Sequence, residues 1–379
     1  MRLCRASFAM AAVLQCLTSC LTCLKGVKAT PIKRAPPSVV QQSNAPPGVP
    51  EYVIKYAPLV YMDPTEKYMP ADLATHLAHC TPMGNNRAAL ANLPSPLTLD
   101  NLDLLNAFSS DKGKSVYLTS NDDFTKNPPW ILGTTPDANG KTENAISSVV
   151  IVADKGNGLV DAFYFYFNSF DDGGIVLDQN LGNHVGDWEH NMVRFQNGVP
   201  QAIWFSQHSG GQSFTYKAVQ KDAAGLRPID FSANGSHANY GLAGDHDHTI
   251  ATIIPGLNLP GDGLITDHTG YGALWDPIKS AYWYSYTGPT GSTKDSSPTR
   301  FDSQVGTFTA YDNATSPVGW LYFQGRWGDQ QLPDSDPRQK SFFGQYKYTT
   351  GPNGPAYKNL VRKNVWPGGT GVLSPVLVP

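Results

Sequence analysis

The sequence predicts a mainly β protein: an antiparallel β-sandwich with long loops and a few short peripheral helices. Three observations carry this. Gly and Pro contribute 36 and 30 of the 379 residues and punctuate short runs of aromatic and β-branched residues, the composition of strands joined by turns and loops. Asp161–Asn168 reads Asp-Ala-Phe-Tyr-Phe-Tyr-Phe-Asn; period-two alternation puts Phe163, Phe165 and Phe167 on one face and Tyr164 and Tyr166 on the other, as in a strand covered on both sides. Asn197-Gly198 separates two apolar runs and predicts a tight hairpin.

Strands are expected at Ser148–Ala153, Asp161–Asn168, Trp188–Gln196, Gln201–Gln207, Ser213–Gln220 and Pro228–Ser232. Helical signals are few. Glu51–Ala57 is short. Pro70–His79 is expected to be helical, with Asp72 in its first turn, where a negative charge suits the helix dipole. Leu99–Phe108 carries Leu99, Leu102, Leu105 and Phe108 at near-helical spacing, with Thr98 as its N-cap.

The N-terminus bears on compartment. Arg2 and Arg5 precede an uncharged, mostly apolar stretch, Ala6–Leu24, and Val27-Lys28-Ala29 offers a small-residue cleavage site. Residues 1–29 therefore read as a secretory signal peptide. A retained signal anchor is the alternative, but the stretch is short for a span and interrupted by polar residues. No later segment is long and apolar enough to span. Residues 30–50 read as a propeptide or disordered linker with a dibasic pair, Lys33-Arg34. Cleavage there removes six basic residues and no acidic one, shifting the net charge from −3 to about −9. No Lys/Arg run appears, so nucleic-acid binding is not expected. Cys4, Cys16, Cys20 and Cys23 lie in the leader, leaving Cys80 unable to form an internal disulfide. Residues 51–348 read as one β-rich domain and 349–379 as a Gly/Pro-rich tail that wraps the domain or is loose. Asn234 and Asn313 begin Asn-x-Ser/Thr sequons, expected glycan sites in a secreted chain, although the motif beside Asn234 suggests an enclosed position.

Gly182-Asn183-His184-Val185-Gly186-Asp187-Trp188-Glu189-His190 concentrates the candidate chemistry. Asp187 and Glu189 share a strand face. Two adjacent carboxylates repel unless a cation or shared proton lies between them, and His184, read as a turn residue, offers a nitrogen. The set suits Ca²⁺, Mg²⁺ or Mn²⁺, with Zn²⁺ as a further candidate; carboxylates bound to loop backbone are the structural alternative, and a metal-free acid–base pair is the third reading. If the Asn197-Gly198 hairpin is tight, its far ends meet and bring His208 beside Glu189. His237, in Gly235-Ser236-His237-Ala238-Asn239-Tyr240, projects from a loop at a strand end. His208 and His237 are thus the catalytic candidates, as acid or base of a metal-dependent hydrolase, and His237 is also a candidate metal ligand. Ser236 and His237 are adjacent, so their side chains should diverge rather than form a nucleophile–base pair. His190, opposite Glu189, is expected to pack on an aromatic ring. Asp245-His246-Asp247-His248 and Asp267-His268 are ligand-like but read chiefly as solvated. Arg326 is a candidate anion-binding residue, with loop bridging as its structural alternative.

Four blocks carry a family resemblance: Tyr56–Tyr61 with Glu66–Pro70, Gly186–His190, Gly235–Tyr240 and Gly325–Gly328. In that order the chain resembles the fungal vacuolar protein sorting-associated protein 62 family, over roughly residues 52–331. The resemblance implies a secretory or vacuolar location and a role in protein delivery to the vacuole, without an agreed enzymatic activity; the leader alone leaves an extracellular destination open. A second, local resemblance is to necrosis-inducing, ethylene-inducing-like toxins, β-sandwich proteins with a Gly-His-Arg-His-Asp-Trp-Glu motif. It implies cation ligands at His184, Asp187 and Glu189, an upstream ligand at Asp171 or Asp172, and a glycan or lipid head group as partner. The toxins' second His falls on Gly186 here. A secreted glycolipid-binding protein is the corresponding alternative function.

Overall fold

The computed structural model describes residues 43–176, 179–247, 266–288, 306–313, 315–342, 344–369 and 371–377, all within the compact unit Ala35–Pro379. The predicted leader, the Lys33-Arg34 pair and His248 lie outside the described residues.

Eleven strands form the two principal sheets. We label them β1 (Leu59–Met62), β2 (Ser148–Asp154), β3 (Leu159–Asp171), β4 (His184–Gln196), β5 (Val199–Gln207), β6 (Gly210–Thr215), β7 (Ile229–Ser232), β8 (Asn239–Tyr240), β9 (Leu274–Trp275), β10 (Ala281–Thr287) and β11 (Thr307–Ala310). The larger sheet runs β6-β5-β4-β3-β2-β10-β11 and the smaller β8-β7-β1-β9. The sandwich is mainly antiparallel, but β10 pairs with β2, and β1 with β7, in parallel. Each parallel pair joins strands far apart in sequence, which a hairpin cannot do.

The aromatic alternation of β3 explains the layering. Phe163, Phe165 and Phe167 join Trp188, Met192 and Trp204 in a core roofed by Leu102, Leu105, Trp320 and Trp327. Tyr164 and Tyr166 face the other way, into a second core with Val60, Met62 and Trp275 of the smaller sheet. Fully burying a Phe contributes roughly 1.5–3 kcal/mol, so this one strand anchors both layers.

The expected Asn197-Gly198 hairpin joins β4 to β5, with both turn residues in the left-handed region (φ 50° and 75°). A second hairpin turns at His208-Ser209 (φ of His208 52°), so β6 starts three residues earlier than expected and ends at Thr215, where Ala218 N–H turns back to the Thr215 carbonyl. β4 also begins earlier than expected: His184 is its first residue, not part of a turn, because Asp171 and Phe170 pair with His184 and Val185.

The helices are shorter than expected. The first, α1, is Glu51–Lys55, and the second, α2, is Leu73–Ala78. Asp72 is the N-cap of α2 rather than a first-turn residue, accepting from Thr75 N–H at 2.7 Å. The expected helix after Leu99 is instead a 3₁₀ turn, Leu102–Phe108, without a side-chain cap from Thr98. The spacing of Leu99, Leu102, Leu105 and Phe108 is strictly three, the period of a 3₁₀ helix. The chain after Thr349 packs on the domain: Leu360, Arg362 and Val365 are buried, and Ser374 bridges to Phe214 of β6. No helix among the described residues is long and apolar enough to cross a membrane.

Candidate functional site

The β3–β4 ladder sets the site. Asp171 lies opposite His184 and Asn168 opposite Asp187. Between them Gly186 takes φ 70°, and a side chain there would strike the Trp327 carbonyl. The Gly-Arg-Trp-Gly loop thus seats directly on the strand, where only glycine leaves room for it. Trp188 joins the first core and His190 stacks on Phe165 with ring centroids 5.0 Å apart. Asp187 and Glu189, on the alternate positions, are both buried.

His184 Nδ1 lies 2.7 Å from the Gly186 carbonyl. A carbonyl only accepts, so Nδ1 carries the hydrogen in that contact, and a neutral ring keeps its lone pair on Nε2. That atom lies 3.7 Å from Asp171 Oδ2. Asp171, Asp187 and His237 bring potential ligand atoms within 4.8 Å of one another. Asp172, by contrast, accepts from Asn180 at 3.0 Å and lines a separate depression of about 260 Å³ with Ser236 and Asp267.

His237 is a donor on both sides. Its Nδ1 lies 3.0 Å from Asp187 Oδ2 and its Nε2 3.0 Å from the Tyr68 carbonyl, with Glu66 Oε2 at 3.7 Å. Burial works against the charged ring, but Glu66 and Asp187 raise its pKa well above the ordinary range. In that form it donates and has no lone pair; it could ligate only after releasing a proton and Asp187. Glu66 is held in turn by the N–H groups of Lys67, Tyr68 and Gly235. Although burial opposes it, His237 and these N–H groups lower the Glu66 pKa. Burial likewise opposes ionisation of Asp187, yet His237, His184 and Lys358 lower its pKa.

The other two carboxyls behave differently. Burial, with the Asp187 charge, pushes Asp171 up to about 7 and Glu189 up to about 7. Glu189 Oε2 accepts from Ser206, whose oxygen accepts from His190 N–H at 2.8 Å. The paired hairpin strands bring this end of β5 to Glu189. His208 continues outward from it and bonds Asp267 at 2.9 Å. Its side chain is 42% exposed, and it bonds a buried carboxylate. Burial opposes its charge, but Asp267, Glu189 and Asp171 raise His208 to about 9.

Ser236 and His237 do diverge: Ser236 donates to Asp267 at 2.8 Å, which also accepts from Tyr240. His246 stacks on Tyr240, and the exposed pair His268–Asp245 meets at 2.7 Å. Arg326 bridges loops through Asn353 at 2.7 Å and lines a cleft. Both sequon asparagines are exposed; Asn234 is not enclosed as its motif suggested, because it sits at the tip of the turn after β7. Cys80 is free and buried.

Sequence reasoning did not place Glu66, the Tyr68 carbonyl or Ser206 at the site. Glu66 lies in one of the family-like blocks, but nothing local ties it to a loop roughly 170 residues onward.

Residues 174–251 match the family model described as vacuolar protein sorting-associated protein 62. The chain is 39% identical over 354 residues to the vacuolar protein sorting-associated protein TDA6 of Saccharomyces cerevisiae, covering 86% of this chain and 71% of that protein. It is 35% identical over 347 residues to vacuolar protein sorting-associated protein 62 of the same yeast, covering 86% and 68%. This chain belongs to the vacuolar protein sorting-associated protein 62 family. Among solved structures, this family member shows a faint likeness to necrosis and ethylene inducing protein 2 from the causal agent of cocoa's witches' broom disease. Sequence identity is 13%, coverage 54% of this chain and 72% of that one, and the TM-score 0.26.

Proposed function

We propose that this protein works in the secretory pathway in delivery to the vacuole, and that its acidic cluster is a divalent-cation site that presents a polar head group or glycan. The names of the two yeast relatives support the first part. One observation carries the second. His184 Nε2 and Asp171 Oδ2 face each other at 3.7 Å, too far apart for a hydrogen bond. When His184 is neutral both are lone-pair donors, and a cation satisfies both.

His184, Asp171 and Asp187 would hold the ion, and Glu189 could join by leaving Ser206. Oxygen-rich donors with one imidazole suit Ca²⁺, Mg²⁺ or Mn²⁺. When bound, the ion supplies a positive centre for hydroxyl or phosphate oxygens. His237 acts behind the ligands: by holding Asp187 it fixes that carboxylate's direction, as second-layer partners do at metal sites. His184 is the most exposed of the three proposed ligands.

The test is metal analysis of purified protein combined with melting curves with and without chelator. The reading expects a stoichiometric divalent metal, a chelator-induced fall in Tm, and loss of both in Asp187→Asn. Metal-free protein with chelator-insensitive melting overturns it. The sorting role is tested separately. A strain lacking the protein should release soluble vacuolar hydrolases into the medium, and unchanged retention would exclude that role.

A further inference from the structure

A cleft of about 620 Å³ lies between the C-terminal segment and the β4–β5 face, lined by His190, Trp204, Ser206 and His208; His184 is not among its lining residues. Lys114, Arg326 and Lys358 line it, and among the described residues no Asp or Glu does. None of the three cations forms an ion pair among the described residues. Arg326 spends one N–H on Asn353, and Lys358 faces the charges of Glu189 and Asp187 from a distance. Asp111, in the neighbouring depression, is occupied by Ser109 and Ser115.

A buried histidine lies beneath the cleft floor. Arg362, fully buried, donates to His190 Nε2 at 3.1 Å. A guanidinium cannot accept, so His190 carries its hydrogen on Nδ1. That nitrogen is buried without a partner, on a residue that is 2% exposed and lines the cleft. A buried, unspent donor is costly unless an acceptor completes it. Opposite, the half-buried Trp366 stands edge-on to Trp204, with ring centroids 4.7 Å apart, and Tyr357 adds a second ring.

We propose that this cleft binds a phosphorylated cyclic polyol, its phosphate held by Lys358, Arg326 and Lys114 and its ring against Trp366. Three cations without a lining carboxylate select a multiply charged anion over a single carboxylate, and an Arg fork matches phosphate oxygens. The negative face of an aromatic ring attracts the polarised C–H face of a saturated ring. The cleft adjoins the acidic cluster through Ser206, which holds Glu189, and through the charge of Lys358, but Lys114, Arg326, Lys358 and Trp366 are not ligands of that cluster.

Calorimetric titration of the full chain with glucose 6-phosphate, glucose and inorganic phosphate tests it. Glucose 6-phosphate should bind more tightly than either fragment, and added salt should weaken it. Lys358→Ala with Arg326→Met should weaken it about tenfold or more, since hydrogen bonds to charged groups are worth roughly 1.5–3 kcal/mol, while Lys358→Arg keeps it. Unchanged melting curves confirm that the variants fold. Vesicles of phosphatidylcholine with and without phosphatidylinositol 4-phosphate give the second arm. Charge-dependent capture of the vesicles assigns a lipid source, and binding of the free sugar phosphate alone assigns a soluble one. Either result, if lost in the double variant, supports the cleft. Glucose 6-phosphate binding no tighter than glucose overturns it. So does binding that survives the double variant but is abolished by chelator, which would put the anion on the acidic cluster.

Discussion

His237 shows how much one side chain organises here. Set in the left-handed region (φ 53°) by the turn after β7, it bridges the loop of Glu66 and Tyr68 to Asp187 on β4. The strain of that backbone is offset by two hydrogen bonds to acceptors that cannot serve each other. Arg227 plays a parallel structural role: it grips Asp276 through two N–H groups at 2.8 and 2.6 Å and caps the Ala57 and Pro58 carbonyls. Asp276→Asn leaves the buried guanidinium without its counter-charge. It should destabilise the protein by about 3–5 kcal/mol, measured by urea unfolding. A third buried group, His76, gives a pH dependence. Its ring lies between Ser169 and the Trp327 carbonyl, and burial lowers its pKa from 6.5 to about 3. Between those values the unfolded chain takes up a proton that the folded chain refuses, so this contribution to stability is present above 6.5 and falls with pH. From there to about pH 5 the loss should be on the order of 2 kcal/mol. Denaturant titrations should show that slope reduced in His76→Gln.

At the scale of elements, hairpin and aromatic strand were readable because their signals are local. Asn197-Gly198 needs only two left-handed residues, and alternation in Asp161–Asn168 needs only the pleat. The start of β4 was not, since His184 becomes a strand residue through its pairing with Asp171. Gly186 is the clearest case of an element decided from outside. Its substitution by Ala meets both an unfavourable φ and the Trp327 carbonyl, and should cost on the order of 3 kcal/mol or more. Gly225 has the same φ of 70°, but a Cβ added there would meet nothing within 4 Å, so Gly225→Ala should cost only about 1 kcal/mol. Equal melting temperatures for the two variants would refute the close-approach argument.

For the molecule as a whole, the C-terminal segment is the least expected part. Its composition allowed either a wrap or a loose tail, yet Leu360 and Val365 close the first core and Arg362 reaches His190. Removing residues 358–379 should therefore lower Tm substantially and broaden the unfolding transition, whereas a tail that only rests on the surface would leave both unchanged. The sequence by itself determined the β class, the two-sided aromatic strand and the tight hairpin, and it singled out Asp187, because these follow from periodicity and short spacing; the cluster of potential ligand atoms that forms around Asp187 joins it to Asp171 and His237 instead of to Glu189. Tertiary structure decided the rest. Which carboxyls stay ionised depends on burial and on His237. That Glu66, Ser206 and Asp171 meet the motif depends on strand register and on loops distant in sequence. The basic cleft exists only because the last segment folds back over β4 and β5. Charge–charge terms act through space, and only the packed chain sets those distances.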